Sequence, residues 1–205
     1  MDTHLVVGAG PVGTTVARRL LADGHRVRVV TRSGSGPEGA ERFSADAADV
    51  ARMADLADDT VAIYNCVNPP YDKWAERWPP IASAVLAAAE STGAVLATAA
   101  NLYPYGPVTE PMREGRPDRP AGPKARVRAE MTAQALGRHR DGRIRAVEVR
   151  ASDYLGAGEQ SVLDRVLPRA LAGRAVRVIG APDQPHSWTW VADMANRHCG
   201  KLSKG

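Results

Sequence analysis

The chain has 205 residues, of which 44% are hydrophobic and 24% are charged, a composition that predicts one folded core with at most a small appendage. It contains no run of about 18 uncharged apolar residues and its N-terminus enters a strand at once, so neither a membrane span nor a signal peptide is expected. The 27 basic and 23 acidic residues give a net charge of +4, but they are dispersed without interleaved aromatic residues, which argues against nucleic-acid binding.

The first 30 residues predict a strand, a tight turn, a helix and a second strand. The apolar run at residues 5–7 is typical of a buried parallel strand, and the sequence Gly8-Ala9-Gly10-Pro11-Val12-Gly13 follows it directly. Apolar residues recur on one side of residues 11–23, which predicts a helix that Gly24 ends. Residues 25–30 then return to a strand pattern.

The rest of the chain continues to alternate strands with helices, which predicts an α/β fold with a doubly wound, Rossmann-like parallel sheet. Further strands are predicted over residues 42–45, 60–66, 94–98, 143–150 and 175–179. Further helices are predicted over residues 47–56, 72–91, 124–136 and 162–172, the second of them capped by Asp72 and bent at Pro79 and Pro80. Loops are predicted over residues 33–39, 68–71 and 101–123, turns over residues 156–158 and 182–185, and a short last helix capped by Asp193.

The glycine-rich turn after the first strand predicts a dinucleotide site. Glycines at these positions allow a tight turn, close approach of the backbone to a pyrophosphate, and close packing of the helix on the strand. The N-terminus of the helix adds free N–H groups and the positive end of its dipole. We therefore expect Gly8, Gly10, Pro11, Val12 and Gly13 to bind the cofactor, the alternative being a glycine-rich turn without a ligand.

The residues that follow the second strand predict a preference for NADP over NAD. An NAD site usually places an acid here to bind the ribose 2′-OH, whereas a 2′-phosphate needs a cation. No Asp or Glu lies between Gly24 and Pro37, while Arg32 and Ser33 come directly after the strand. The alternative is a solvated surface arginine.

Two polar residues follow other predicted strands, at the edge of the sheet where ligands bind. Asp46 is expected to accept a hydrogen bond from an adenine amino group or, equally, to cap the helix over residues 47–56. Asn68 is expected to lie near the middle of the cofactor, the alternative being a proline-rich turn.

The segment from Thr98 to Tyr105 is the best candidate for the reaction centre. A phenol acts as a general acid or base when a nearby ammonium stabilises its ionised form, and Lys124 is the lysine placed to do so. Tyr103 and Tyr105 are therefore candidate catalytic residues, or else their rings pack under the long loop.

The cysteines and histidines predict no disulfide and no metal site. Cys66 and Cys199 are far apart and lack metal-ligand spacing, which is typical of reduced thiols in a cytoplasmic protein. The histidines outside the aromatic segment near residue 188 are also scattered: His4, His25, His139 and His198.

Seven segments occur in an order that one protein family shares. They are VVGAGPVG, VVTR, YNCVNPPYDKW, ANLYPYGP, GPKARVRAEM, VRASDYLGAG and PHSWTWVADMA, and they extend to about Ala195. On these segments the chain resembles the short-chain dehydrogenase/reductase superfamily, in its extended and atypical branch of NAD-dependent epimerase/dehydratase-like proteins. The resemblance implies a doubly wound sheet, binding of NADP or NAD, catalysis near the nicotinamide, and a homodimer formed through the two helices near residues 72–91 and 123–137.

The chain departs from this family at its catalytic motif. The superfamily carries Tyr-x-x-x-Lys on one helical face, and here Lys124 matches the lysine while Pro120 stands at the tyrosine position. Tyr103 or Tyr105 is expected to replace the phenol from another direction. Thr98 or Asn101 is expected to orient the substrate carbonyl, and Lys124 to bind the nicotinamide ribose.

The second departure is at the C-terminal end, since relatives continue well beyond the segment WTWVADMA. The resemblance therefore implies a dinucleotide-binding domain over residues 1–155, a truncated substrate-binding lobe over residues 156–195, and a disordered tail over residues 196–205.

These features predict a cytoplasmic, NADP-dependent oxidoreductase or epimerase/dehydratase-like enzyme that acts on a small hydroxyl- or carbonyl-bearing metabolite. The alternative is a protein that binds NADP without redox turnover, either as a sensor or regulatory partner or as a catalyst of a non-redox cyclisation or isomerisation.

Overall fold

The computed structural model describes residues 1–156, 162–177 and 183–200. Its main sheet has six parallel strands: β1 (Thr3–Val7), β2 (Arg26–Thr31), β3 (Glu41–Ser44), β4 (Ala62–Asn65), β5 (Val95–Asn101) and β6 (Arg145–Ala151). Six helices accompany them: α1 (Pro11–Ala22), α2 (Val50–Ala57), α3 (Trp74–Thr92), α4 (Pro123–Arg140), α5 (Val162–Leu171) and α6 (Val191–Gly200). Two short strands, β7 (Asp153–Leu155) and β8 (Trp188–Trp190), pair in parallel beside the main sheet. Single 3₁₀ turns cover Tyr71–Lys73 and Tyr103–Tyr105.

The strand order β3-β2-β1-β4-β5-β6 is that of a doubly wound sheet, as the sequence predicts. The central strands carry apolar side chains on both faces of the sheet, because helices cover both faces. Leu5 and Ile63 pack with α2 and α3 on one face, whereas Val6 and Tyr64 pack with α1 and α6 on the other. The chain changes direction between β1 and β4, which lie side by side, and this switch point opens the site described below.

The helices α2 and α3 do not begin where the sequence predicts. α2 begins at Val50 and not at residue 47, because the Asp49 carboxylate accepts a hydrogen bond from the Arg52 N–H at 3.0 Å and so caps the helix. Asp72 does not cap the following helix, because it lies within a 3₁₀ turn that precedes α3. α3 then runs without interruption through Pro79 and Pro80.

The strand ends also differ. β5 continues to Asn101, three residues beyond the predicted end, because it pairs with β6 along its whole length. The sequence did not predict β7, since a strand of three residues carries too little periodicity to be recognised. Of the strand predicted over residues 175–179, residues 175–177 have no strand structure, and the other two lie outside the described residues.

The C-terminal segment is helical where a disordered tail was predicted. α6 begins at Val191, so Asp193 lies inside its first turn and is not its cap. Ala195 and His198 are fully buried, and α6 packs on α1 against the main sheet. The prediction of disorder is therefore wrong for residues 196–200, while residues 201–205 lie outside the described residues, as do residues 157–158 and 182 of the predicted turns. Part of the segment assigned to a substrate lobe thus packs into the core around the main sheet.

Among the described residues, no helix has the length and apolar character needed to cross a membrane.

Candidate functional site

A cleft of about 510 Å³ opens at the carboxyl ends of β1, β2, β4 and β5. Its volume falls in the range that small-molecule and cofactor sites occupy. Most of the predicted site residues line it: Gly8, Gly10, Pro11, Val12, Arg32, Asp46, Asn68, Asn101 and Tyr103. The remaining ones lie outside its lining: Gly13, Ser33, Thr98, Tyr105 and Lys124.

The glycine turn is built so that backbone, and not side chain, faces the cleft. Gly8 has φ +98°, and a Cβ there would lie 2.8 Å from the Cys66 carbonyl oxygen. A Cβ on Gly13 would lie 1.9 Å from the Gly8 carbonyl oxygen, so this glycine lets α1 approach the end of β1. A Cβ on Gly10 would meet nothing within 4 Å, so the backbone there is open to a ligand.

The N-terminus of α1 completes an anion site above this turn. Pro11 is the first helical residue, where its missing N–H costs nothing. The Thr14 N–H bonds to the Gly10 carbonyl at 2.9 Å, which leaves the N–H groups of Val12 and Gly13 without an intrahelical partner. These groups and the helix dipole fit the pyrophosphate of a dinucleotide.

Two arginines and one carboxylate line the end of the cleft beyond β2. The Asp46 carboxylate accepts hydrogen bonds from the Ala48 N–H and from Arg77, the latter at 3.0 Å. The Ala48 N–H, with the charges of Arg77 and Arg32, lowers the pKa of Asp46. Asp46 thus stabilises a turn and an ion pair, while Asp49 takes the capping role.

Arg77 was missed in the sequence, because it lies in the middle of the long α3 pattern and nothing marks it as facing the sheet edge. Ser33 turns away from the cleft lining, and its hydroxyl donates to Ser35 Oγ at 3.0 Å. The Ser44 hydroxyl donates to the Arg32 carbonyl at 2.8 Å and so fixes the backbone that carries Arg32.

At the opposite end of the cleft, aromatic side chains surround Tyr103. The Tyr103 hydroxyl lies 2.5 Å from the Tyr71 hydroxyl, and the Trp74 ring lies beside both tyrosines. The Asn101 carboxamide accepts from the Tyr103 N–H at 3.2 Å. Tyr71 was not among the predicted site residues, although its place after Pro69 and Pro70 on a strand-end loop could have suggested it.

Thr98 and Tyr105 do not reach this cleft. Because β5 extends to Asn101, Thr98 lies within the strand and lines a separate cavity of about 20 Å³. Tyr105 is only 8% exposed, its hydroxyl donates to the Arg113 carbonyl at 3.4 Å, and its ring lies under the Arg150 guanidinium. Tyr105 therefore packs in the protein interior, which is the alternative to a catalytic role. Of Thr98 and Asn101, it is Asn101 that lies at the end of β5.

Lys124 and Pro120 do not share a helical face. α4 begins at Pro123, so Pro120 precedes it. The Lys124 Nζ lies 3.5 Å from the centre of the Tyr71 ring, outside the cleft lining. The buried cation that does line the cleft is Arg128, which donates to the Ala99 carbonyl at 3.0 Å and whose pKa burial lowers.

Three potential metal ligands meet at the other end of the sheet, although the sequence predicted no metal constellation. Ligand atoms of Asp2, His4 and His25 lie within 4.8 Å of one another. The sequence separates them, but β1 and β2 are adjacent and bring their first residues together. Burial lowers the pKa of His4 to about 4, so its imidazole is neutral at pH 7.

The cleft and the strand order together define a nucleotide-binding α/β protein of the doubly wound class. The chain belongs to the NAD dependent epimerase/dehydratase family, whose profile matches residues 4–204. No curated protein matches it.

Solved structures with the same fold include UDP-glucose 4-epimerases. That of Brucella ovis, in complex with NAD, is 20% identical, with a TM-score of 0.84 over 99% of this chain and 73% of that one. That of Thermotoga maritima, with UDP-glucose, is 18% identical, with a TM-score of 0.85 over 99% and 74%. The dTDP-glucose 4,6-dehydratase of Bacillus anthracis, in complex with NAD, is 16% identical, with a TM-score of 0.84 over 100% and 73%. At these identities the likeness shows a shared fold.

Proposed function

We propose that the protein is a nicotinamide-dinucleotide-dependent enzyme that oxidises or reduces a hydroxyl- or carbonyl-bearing small molecule. Transient oxidation of the substrate during an epimerisation or a dehydration is one form of this chemistry. The observation that carries the proposal is the single cleft that joins the anion site at the N-terminus of α1 to the paired phenols of Tyr71 and Tyr103. Sugar nucleotides are the first substrate class to test, because the structural neighbours include a UDP-glucose 4-epimerase with UDP-glucose and a dTDP-glucose 4,6-dehydratase.

The proposed cofactor spans this cleft. Its pyrophosphate lies over residues 8–13 and its adenosine half lies toward Asp46, whose carboxylate accepts from the adenine amino group. Asn68 contacts the middle of the cofactor, since it lines the cleft between these two ends. The nicotinamide, which supplies the hydride chemistry, would lie beside Asn101 and Tyr103.

NADP is the proposed form of the cofactor. Arg32 lines the cleft directly after β2, and Arg77, which pairs with Asp46 at 3.0 Å, adds a second cation. Two cations at this end favour a 2′-phosphate, whereas NAD sites place an acid there. The structural neighbours named above carry NAD, so the proposal sets this chain apart from them.

The proposed catalytic groups are those that line the cleft at its aromatic end. Tyr103, in contact with Tyr71, belongs to the pair of phenols that takes the place of the family tyrosine replaced here by Pro120, and Asn101 orients the carbonyl. Arg128 is better placed than Lys124 to contact the nicotinamide ribose, because it lines the cleft while Lys124 lies over Tyr71.

The division of the chain at residue 155 and the cytoplasmic homodimer also remain proposals. Both cysteines are free, which fits a reducing compartment. None of the exposed large apolar side chains in the described ranges lies on α3 or α4, so a dimer through these helices would have a polar interface. Light scattering of the purified protein would test its oligomeric state.

Nucleotide binding and turnover test the proposed function in sequence. NADPH and NADH are titrated while energy transfer from the protein's tryptophans to the reduced nicotinamide is followed. Turnover is then measured at the nicotinamide absorbance band with UDP-glucose, dTDP-glucose and a panel of simple carbonyl compounds. Binding followed by turnover is expected. Tight binding without turnover would favour the regulatory or non-redox alternative, which Pro120 supports, and the failure of both nucleotides to bind would contradict the proposal.

A further inference from the structure

Tyr71 reaches the reaction end of the cleft from the loop after β4, whereas Tyr103 comes from the turn after β5. It follows β4 on the 3₁₀ turn Tyr71–Lys73, whose Lys73 N–H bonds to the Pro70 carbonyl at 2.9 Å. Its ring meets the Trp74 ring edge-on with centroids 4.9 Å apart, and Trp74 Nε1 donates to the Pro69 carbonyl at 3.1 Å. The turn and the tryptophan therefore hold the phenol in one place.

The two phenols are in direct contact and both remain accessible from the cleft. The Tyr71 and Tyr103 oxygens are 2.5 Å apart, a short distance for a hydrogen bond between hydroxyl groups. Tyr71 is 49% exposed and Tyr103 is 41% exposed, so a substrate oxygen can reach the pair. A contact of this length in an open cleft joins two proton-bearing groups where only one was predicted.

We propose that Tyr71 and Tyr103 act together as a proton relay, in which Tyr71 exchanges a proton with the substrate oxygen and Tyr103 exchanges one with Tyr71. This inference rests on the proposed function and deepens it, since it assigns the catalytic phenol to a residue outside the family's motif. Tyr71 is the catalytic residue that touches substrate, and Lys124 is a positioning residue that acts through it.

The surroundings of the pair keep Tyr103 protonated. Burial, the hydrogen bond with Tyr71 and the negative charge of Asp153 raise the pKa of Tyr103. Either hydroxyl can donate in the contact between the two; in the proposed relay Tyr103 donates to Tyr71 Oη, which leaves the Tyr71 proton free to point into the cleft. Two cations on α4 also lie near the pair: Lys124 over the Tyr71 ring, and Arg128 at 5.9 Å from the Trp74 ring centre.

Lys124 contributes through the face of the Tyr71 ring. Its Nζ lies 3.5 Å from the ring centre, within the range of a cation–π interaction. The ammonium holds the ring in place and stabilises the negative charge that develops on the phenol oxygen when the proton leaves. The lysine thus assists a phenol, as in the superfamily, but the phenol comes from another element.

The relay balances in both directions. In reduction, the substrate carbonyl carbon gains a hydride from the dihydronicotinamide cofactor, which is oxidised, and the carbonyl oxygen gains the Tyr71 proton. The Tyr103 proton then passes to Tyr71, and water returns a proton to Tyr103. In oxidation the order is reversed: water takes the Tyr103 proton, Tyr103 takes the Tyr71 proton, and the ionised Tyr71 oxygen accepts the substrate hydroxyl proton while the substrate carbon gives a hydride to the oxidised nicotinamide.

Substitution of each phenol by phenylalanine, read by both kinetics and NMR, tests the relay. Tyr71→Phe is expected to lower kcat by about 100-fold, as loss of a general acid does, with little change in the KM for the dinucleotide. Tyr103→Phe is expected to lower kcat by about tenfold, the effect of one hydrogen bond. Tyr105→Phe is the matched control with unchanged kcat, because Tyr105 packs outside the cleft.

The NMR readout needs no substrate. In protein labelled with ¹³C at tyrosine Cζ, Tyr71→Phe is expected to lower the ionisation midpoint of Tyr103, because the hydrogen bond that raises the Tyr103 pKa is lost. Lys124→Met, which keeps the length of the side chain, is expected to lower kcat and leave the protein folded.

The outcomes separate this inference from the proposed function. If the Tyr71→Phe protein binds the nucleotide and turns over substrate as well as wild type, the relay alone is overturned. The same holds if Tyr71→Phe leaves the ionisation midpoint of Tyr103 unchanged. Failure of the wild-type protein to bind either nucleotide would instead overturn the proposed function, and the redox role of the relay with it.

Discussion

Replacement of Gly13 by alanine tests the packing of α1 on β1. The added Cβ would lie 1.9 Å from the Gly8 carbonyl oxygen and 3.1 Å from the Cys66 Cβ. The first neighbour is backbone, so the turn and the helix must move apart by more than an ångström to reach ordinary contact. Overpacking in cores costs about 1–3 kcal/mol, and a backbone clash of this depth belongs at the upper end, about 3 kcal/mol.

The assay is thermal unfolding of Gly13→Ala beside Gly137→Ala. For a chain of this size, about 3 kcal/mol lowers the unfolding temperature by about 6–12 °C. Gly137 lies inside α4, and a Cβ there meets nothing within 4 Å, so Gly137→Ala is expected to stabilise by about 0.5–1 kcal/mol through helix propensity. Equal unfolding temperatures for wild type and Gly13→Ala would refute the close approach of helix and strand.

Three further predictions follow from single side chains. Arg32→Ala is expected to weaken NADPH binding by about tenfold or more and to leave NADH binding unchanged. Arg18→Ala, at an exposed position, is the control. Equal losses of affinity for both nucleotides would contradict the binding of the 2′-phosphate by Arg32. Burial lowers the pKa of His198 to about 4, so as the pH falls below about 6.5 the unfolded chain takes up a proton before the folded protein does. Up to about 3 kcal/mol of the free energy of unfolding at pH 7 is therefore lost by pH 4. His198→Leu is expected to flatten this pH dependence in urea unfolding, and an unaltered pH dependence would exclude the buried imidazole as its cause. Arg150 binds both Asp118 oxygens, at 2.5 and 2.9 Å. Arg150→Met is expected to cost about 2 kcal/mol and to speed tryptic cleavage after Arg113 in the loop over residues 106–122. Wild-type cleavage rates would show that the ion pair does not hold the loop.

The features that the sequence predicted correctly depend on neighbouring residues. The strand, turn and helix around Gly8 and Gly13 follow from local apolar periodicity and from glycine conformation, and the structure confirms the fold that they imply. The strand-end rule then placed Arg32, Asp46 and Asn101 on one rim without any knowledge of contacts, since parallel strands end on the same side.

The features that were missed or misplaced depend on contacts between distant segments. The Tyr71–Tyr103 hydrogen bond joins residues 32 positions apart, and nothing local to either residue marks the other. Thr98 was placed at a strand end because the apolar run stops there, but pairing with β6 carries β5 on to Asn101. The polar sequence of residues 196–200 carries no helical periodicity, yet it is helical because α6 packs on α1 and the main sheet, where the His198 ring lies beside that of Tyr64.

The central claim is that the turn over residues 8–13 binds the pyrophosphate of a nicotinamide dinucleotide, and Gly10→Ala tests it most directly. A Cβ on Gly10 meets nothing within 4 Å and φ is −70° there, so the substitution is expected to leave the unfolding temperature unchanged. The methyl group would nevertheless occupy the space through which the pyrophosphate approaches the backbone. Titration with NADPH is expected to show binding by the wild-type protein and a loss of at least about tenfold in Gly10→Ala. A wild-type protein that does not bind NADPH or NADH, or a Gly10→Ala protein that binds as tightly as wild type, would contradict the account.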